Sequence, residues 1–186
     1  LENIIGKHQV MNLHNTNKHF ELVIFDFDGT LIDSKYDIAD SVNLTLKDMG
    51  LPARSSEEIF SFVGNGVKQL LRLSAGEGND SRYEEALALF RKHYLVHCLD
   101  STKFYAGLDT VFDVLQGKSK ALATNKSLEY TLRIVEGLGV RDSFSVIECP
   151  RDSSDLKPEP SMLFRILDQL CVASERAVLV GDSTND

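Results

Sequence analysis

Apolar residues along this chain recur with two different periods, and the change of period marks a change of architecture. Leu22-Val23-Ile24-Phe25 is a continuous apolar run rich in β-formers, which predicts a strand buried on both faces. From Ser34 to about Asp100 the recurrence is helical, with no convincing strand. Ile38, Val42 and Leu46 follow one another every four residues, Met49 comes next, and Gly50 and Pro52 end the helix. Ser55 or Ser56 ahead of Glu57 and Glu58 marks a helix start that leads into Ile59, Phe60 and Phe62. Gly64-Asn65-Gly66 interrupts, Val67, Leu70, Leu71 and Leu73 resume, and Gly76 to Asp80 is a loop. Tyr83, Leu87, Phe90, Tyr94 and Cys98 trace the inner stripe of a long helix.

After Gly107 short apolar runs alternate with helical stretches. A helix over 108–115 precedes the run Ala121-Leu122-Ala123. A second has Leu128, Leu132, Val135 and Leu138 inward and Gly139 as its stop. Phe144 to Ile147 is a strand, Ser161 to Leu170 a helix, and Ala177 to Val180 a strand. Alternation of this kind implies a doubly wound parallel sheet with right-handed crossovers. The fold class is therefore α/β, a Rossmann-like core interrupted by a helical insert. The predicted division is a polar tail over 1–20, a core over 21–33 and 104–186, and a helical cap over 34–103, placed as a lid on the strand ends.

Composition narrows the partners. The 186 residues carry a formal charge of −8, which argues against nucleic acid or an anionic membrane surface. No apolar run approaches the length of a membrane span. Cys98, Cys149 and Cys171 are few and widely spaced, without a Cys-x-x-Cys, so cytoplasmic thiols are the simplest reading. His8, His14 and His19 fit no helix face and read as part of a solvated tail.

The chemistry gathers at the predicted strand ends. Asp26 and Asp28 follow the first strand, and residues two apart on an extended backbone point the same way. In open α/β sheets that end of the strands is where ligands bind. Two neighbouring carboxylates repel unless a cation or a proton intervenes, which suits a nucleophile and a general acid with Mg²⁺ between them. A strand ending in a solvated Asp-Gly turn is the alternative. Thr124-Asn125 ends the next strand and equally suits a helix N-cap. Lys157, beside Pro158 and Pro160, could be a surface lysine. Asp182 and Asp186 could be loop acids. Their joint occurrence, in order and near strand ends, carries the argument.

Together, Asp-Phe-Asp-Gly-Thr from Asp26, the Thr124 position, Lys157 and Gly-Asp-Ser-x-x-Asp from Gly181 resemble the four motifs of the haloacid dehalogenase superfamily. Phe62-Val63-Gly64-Asn65-Gly66-Val67, Ala123-Thr124-Asn125-Lys126 and Lys157-Pro158-Glu159-Pro160 are similar to its phosphoglycolate phosphatase branch. The resemblance implies Mg²⁺-dependent hydrolysis of a small phosphate monoester. Asp26 would be the nucleophile and Asp28 the general acid and base. Mg²⁺ would sit on the carboxylates of Asp26 and Asp182 and the carbonyl of Asp28. Thr124 and Asn125 would bind phosphoryl oxygens, Lys157 would offset their charge, and Asp186 would support Lys157 or a metal-bound water. Gly64, Asn65 and Gly66 would face the rest of the substrate, with Lys68 and Arg72 as candidates for a substrate carboxylate.

Two departures stand out. Glu148-Cys149-Pro150 occupies a place where relatives carry small residues. The chain ends at Asp186, where family members continue through another helix and at least one strand, so the core reads as truncated and should expose an apolar edge or face. The competing readings are a phosphotransferase or sugar-phosphate mutase, a carbon–halogen hydrolase in which Asp28 lacks a task, and a catalytically impaired binding protein. Oligomeric state is not legible.

Overall fold

The computed structural model describes residues 20–186, so the predicted tail and its histidines lie outside the described residues. Four parallel strands form the main sheet: β1 (Leu22–Phe25), β4 (Ser119–Ala123), β5 (Val146–Glu148) and β6 (Ala177–Val180), in spatial order β5-β4-β1-β6. Central β1 is buried at every position, as a strand covered on both faces must be. Alternation along the strands splits the core in two. Leu22, Ile24, Ala121, Ala123 and Val146 pack on Met162 and Ile166 of α7 (Ser161–Leu170). Val23, Phe25 and Leu122 belong to the opposite layer, with Phe112 of α5 (Leu108–Val114) and Ile134 and Val135 of α6 (Leu128–Gly137). Helices on both faces confirm the doubly wound α/β class.

Between β1 and α5 lie the helices that the 3.6-residue period predicts: α1 (Lys35–Asp48), α2 (Ser56–Phe60), α3 (Gly66–Ala75) and α4 (Tyr83–His97). Ser55 and Glu58 close a reciprocal capping box at the start of α2. The predicted α4 stripe is in place, with Phe90, Tyr94 and Cys98 buried. A short antiparallel pair, β2 (Ile32–Asp33) with β3 (Lys103–Phe104), ties the chain leaving the core to the chain returning. Asp37, buried in the first turn of α1, accepts hydrogen bonds from the Ser101 and Thr102 amides and the Thr102 hydroxyl. These residues fasten that return, and the hydrophobic pattern could not show it.

One inward assignment needs correction. Leu128 is 49% exposed, and α6 instead buries Tyr130, Thr131, Ile134 and Val135. Tyr130 takes the inner position because it meets Phe90 and Tyr94 edge-on across the α4–α6 contact. Leu73 is likewise exposed. On β6, Val178 and Val180 are exposed on the layer opposite α7.

Candidate active site

The C-terminal ends of β1, β4 and β6 converge on one cavity of about 300 Å³, roofed by residues of the helical insert. Asp26 leaves β1 with its amide bonded to the Val180 carbonyl at 2.9 Å, which fixes its backbone between neighbouring strands. The chain then folds into a tight turn in which the Thr30, Leu31 and Ile32 amides converge on the Phe27 carbonyl. Gly29 occupies this turn with φ +87°, and a Cβ there would lie 2.3 Å from Oδ2 of Asp182. Only glycine permits both that backbone and that approach. Gly181 answers it across the site, where a Cβ would collide with the Asp186 carboxylate.

Lys157 is the centre of the charge arrangement. Its side chain is 5% exposed, and Nζ lies 2.7 Å from Asp26 Oδ1 and 2.5 Å from Asp186 Oδ1. Asp186 also accepts from the Ser183 amide and hydroxyl, and Thr30 donates to Asp182 Oδ1 at 3.0 Å. One carboxylate oxygen from each of Asp26, Asp182 and Asp186 lies within 4.8 Å of the other two. All are hard oxygen donors, the set that a divalent cation such as Mg²⁺ prefers. Burial pushes the Asp26 carboxyl up to about 6, against the pull of Lys157, with Asp186 adding repulsion. Asp186 faces partial burial too, but its bonds to Lys157 hold it below the usual carboxylate range.

Asp28 plays a separate part. Its carboxylate lies outside the acidic cluster, with Oδ1 accepting from the Ser34 hydroxyl at 2.5 Å and Oδ2 2.9 Å from Lys126 Nζ. Lys126 has a 5% exposed side chain and lies over the Tyr94 ring. Burial works against its charge, but Asp28 and Tyr94 outweigh that and raise its pKa.

Thr124 is buried, with its hydroxyl oxygen accepting from the Lys126 amide, and the helix that follows is capped at Ser127 instead. Thr124-Asn125 is therefore no N-cap. The Asn125 side chain bonds both backbone groups of Lys157 and the Gly64 carbonyl, so it joins three segments. Gly64 and Gly66 line the cavity, and Asn65 accepts from Asn185 at 3.1 Å. Lys68 is corrected: it is exposed, absent from the cavity lining, and lies over the Tyr83 ring. Arg72 is paired with Asp80. At i and i+4 on α3 both occupy the outer face. Glu148 and Cys149 are also accounted for, Glu148 by Arg165 at 2.7 Å and Cys149 by burial against Thr131.

Sequence reasoning passed over Lys126 and Ser34. Lys126 stands in the branch-like Ala123-Thr124-Asn125-Lys126 without a role assigned to it, directly after a strand-end Thr-Asn and before the helix, where the chain still faces the cavity.

Comparison with known proteins agrees with this geometry. The family model of haloacid dehalogenase-like hydrolases matches residues 23–186. A phosphoglycolate phosphatase of Colwellia psychrerythraea is 34% identical over 175 residues, covering 89% of this chain and 77% of that protein. One from Aquifex aeolicus is 34% identical over 167 residues, with the same coverage. Among solved structures, a predicted phosphoglycolate phosphatase from Haemophilus somnus superposes with a TM-score of 0.80 at 26% identity, covering 90% of this chain and 79% of that one. With three strand ends and the Lys157 loop meeting in one pocket and a family match across nearly all described residues, the chain belongs to the haloacid dehalogenase-like hydrolases.

Proposed function

We propose that this chain is a phosphatase that hydrolyses a small phosphate monoester, phosphoglycolate or a close analogue, with Mg²⁺ and through an aspartyl-phosphate on Asp26. The observation that carries this reading is the buried Asp26 carboxylate, held 2.7 Å from Lys157 within a cluster completed by Asp182 and Asp186. Asp26 attacks phosphorus, and Asp28, steadied by Ser34 and Lys126, protonates the departing oxygen. The same Asp28 then takes a proton from the water that splits the acyl-phosphate, which restores both carboxyl groups. Thr124 and the backbone at Asn125 bind phosphoryl oxygens while Lys157 offsets their charge. Asp26 and Asp182, with the Asp28 carbonyl, would hold Mg²⁺. The ion, when bound, supplies positive charge to the phosphoryl oxygens and relieves carboxylate repulsion.

The helices over 34–103 act as a cap in this reading, excluding water from the aspartyl-phosphate step. Unpaired cysteines suit a cytoplasmic setting. Among the described residues no helix is long and apolar enough to cross a membrane. The test is release of inorganic phosphate from 2-phosphoglycolate by the purified chain, with Mg²⁺ and with a chelator. Mg²⁺-dependent release that disappears in Asp26→Asn is the expected result; release unaffected by that substitution overturns the nucleophile.

A further inference from the structure

We propose that Lys126, backed by Tyr94, forms the subsite for a carboxylate carried on the substrate's leaving group. This rests on the phosphatase reading above and assigns its specificity to residues of the β4 end and α4. The argument begins with the cations of the cavity. Lys68 and Arg72 are committed elsewhere, to the Tyr83 ring and to Asp80. Lys35, Lys126 and Lys157 line the cavity. Lys157 is spoken for by Asp26 and Asp186, at the phosphoryl end. Lys35 is 42% exposed, near Asp33 and over the Tyr36 and Phe60 rings. Lys126 alone among these three combines burial with a position on the leaving-group side of Asp28.

That position follows from how Asp28 is held. The acid that protonates the leaving oxygen has its Oδ2 on Lys126, so atoms just beyond the leaving oxygen lie beside the ammonium. In a phosphorylated 2-hydroxy acid of two carbons the carboxylate is one methylene beyond that oxygen. An ammonium has three N–H donors, and its ion pair with Asp28 leaves capacity for a second anion. Elsewhere the cavity presents Asp26, Asp33 and Asp182, which repel a negative tail.

Tyr94 is the independent observation. Its hydroxyl is buried and its proton has no acceptor, since the Lys126 ammonium beside it, 4.9 Å from the ring centroid, is itself a donor. A buried donor without an acceptor is uncommon and costly. Burial keeps the phenol protonated and hence a donor. A carboxylate seated on Lys126 would give that hydroxyl its acceptor, within walls formed by Phe90 and Tyr130.

The test compares kcat/KM for 2-phosphoglycolate and for ethyl phosphate, which lacks the carboxylate, in the full chain with Mg²⁺. The wild-type chain should prefer 2-phosphoglycolate. Tyr94→Phe should lower that preference about tenfold, and Lys126→Met about a hundredfold, mainly through KM. Equal losses on both esters would show that Lys126 acts only through Asp28, and would overturn the subsite. If Lys126→Met does not fold, Tyr94→Phe decides, since an unchanged preference refutes the proposal. Equal use of both esters by the wild type sinks the subsite but keeps the phosphatase. Release from neither ester, nor from p-nitrophenyl phosphate, sinks both.

Discussion

The Asn125 side chain and the backbone of Lys157 exchange two hydrogen bonds, the Lys157 amide donating to Oδ1 at 2.7 Å and Nδ2 donating back to the carbonyl at 3.2 Å. The same Nδ2 reaches the Gly64 carbonyl of the helical insert at 2.9 Å. One amide therefore sets the placement of the lysine that neutralises Asp26 and the docking of the loop above it. Asn125→Ala leaves buried Lys157 backbone groups unpaired and should cost about 2 kcal/mol of stability. Amide exchange over 62–66 should quicken. Asn125→Asp keeps the acceptor for the Lys157 amide but sets an oxygen against the Lys157 and Gly64 carbonyls, so it should loosen the loop and cost at least as much stability. Unchanged exchange in both variants would refute the coupling.

Asp26→Asn should abolish turnover yet stabilise the chain at neutral pH. The folded-state pKa of about 6 lies above the ordinary 3.8, so the folded chain holds the extra proton between those values. Stability in the metal-free chain therefore falls as pH rises through that window, and the full cost is present above it. Asparagine does not titrate. Thermal melts should show its advantage opening from pH 4 to 6 and reaching on the order of 2 kcal/mol at pH 7. A gap that does not vary with pH would contradict the assignment.

The same proton competes with Mg²⁺. Below about pH 6 the cation must displace it from Asp26, so Mg²⁺ affinity should drop about tenfold per pH unit, with proton release on binding. Calorimetry in two buffers of different ionisation enthalpy measures both. Asp182→Asn should weaken binding at pH 7, where this competition is absent.

Gly29→Ala should weaken Mg²⁺ binding at least about tenfold and cost on the order of 2 kcal/mol, because the new methyl displaces the Asp182 carboxylate. Gly50→Ala is the matched control. Its φ is also positive, at +71°, but nothing lies within 4 Å of the added carbon, so it should lose about 1 kcal/mol and keep the metal affinity.

The strands and most helices are legible because their apolar periods are local: β6 and α7 lie at the boundaries that the pattern predicts. Asp26, Thr124, Asp182 and Asp186 meet because each follows a strand end of one parallel sheet, and Lys157 joins them from the loop before α7; alternation predicts the parallel sheet but not the spatial order of its strands. What escaped depends on distance through space. Lys126 and Ser34 gain meaning only when β4 and the start of α1 are brought against Asp28. Asp37 looks like an ordinary first-turn acid until the chain returns at Thr102, 65 residues later. Lys68 reads as a cavity residue by proximity to Gly66, but the turn of α3 carries it outward. Leu128 and Tyr130 are both apolar enough to face inward, and only the aromatic contact with α4 decides between them.

The pairing of Ile32 with Phe104 and Asp33 with Lys103 brings the two ends of the long insertion side by side, about 5 Å apart for antiparallel neighbours. A segment whose ends nearly touch can be excised and another grafted in its place without pulling the underlying sheet apart. Asp26, Thr124, Lys157 and Asp182 stay with the sheet, while Phe60, Val63, Gly64 and Tyr94, which line the same cavity, travel with the graft. Diversification of ligand choice on this scaffold can thus proceed by exchanging one contiguous piece of chain.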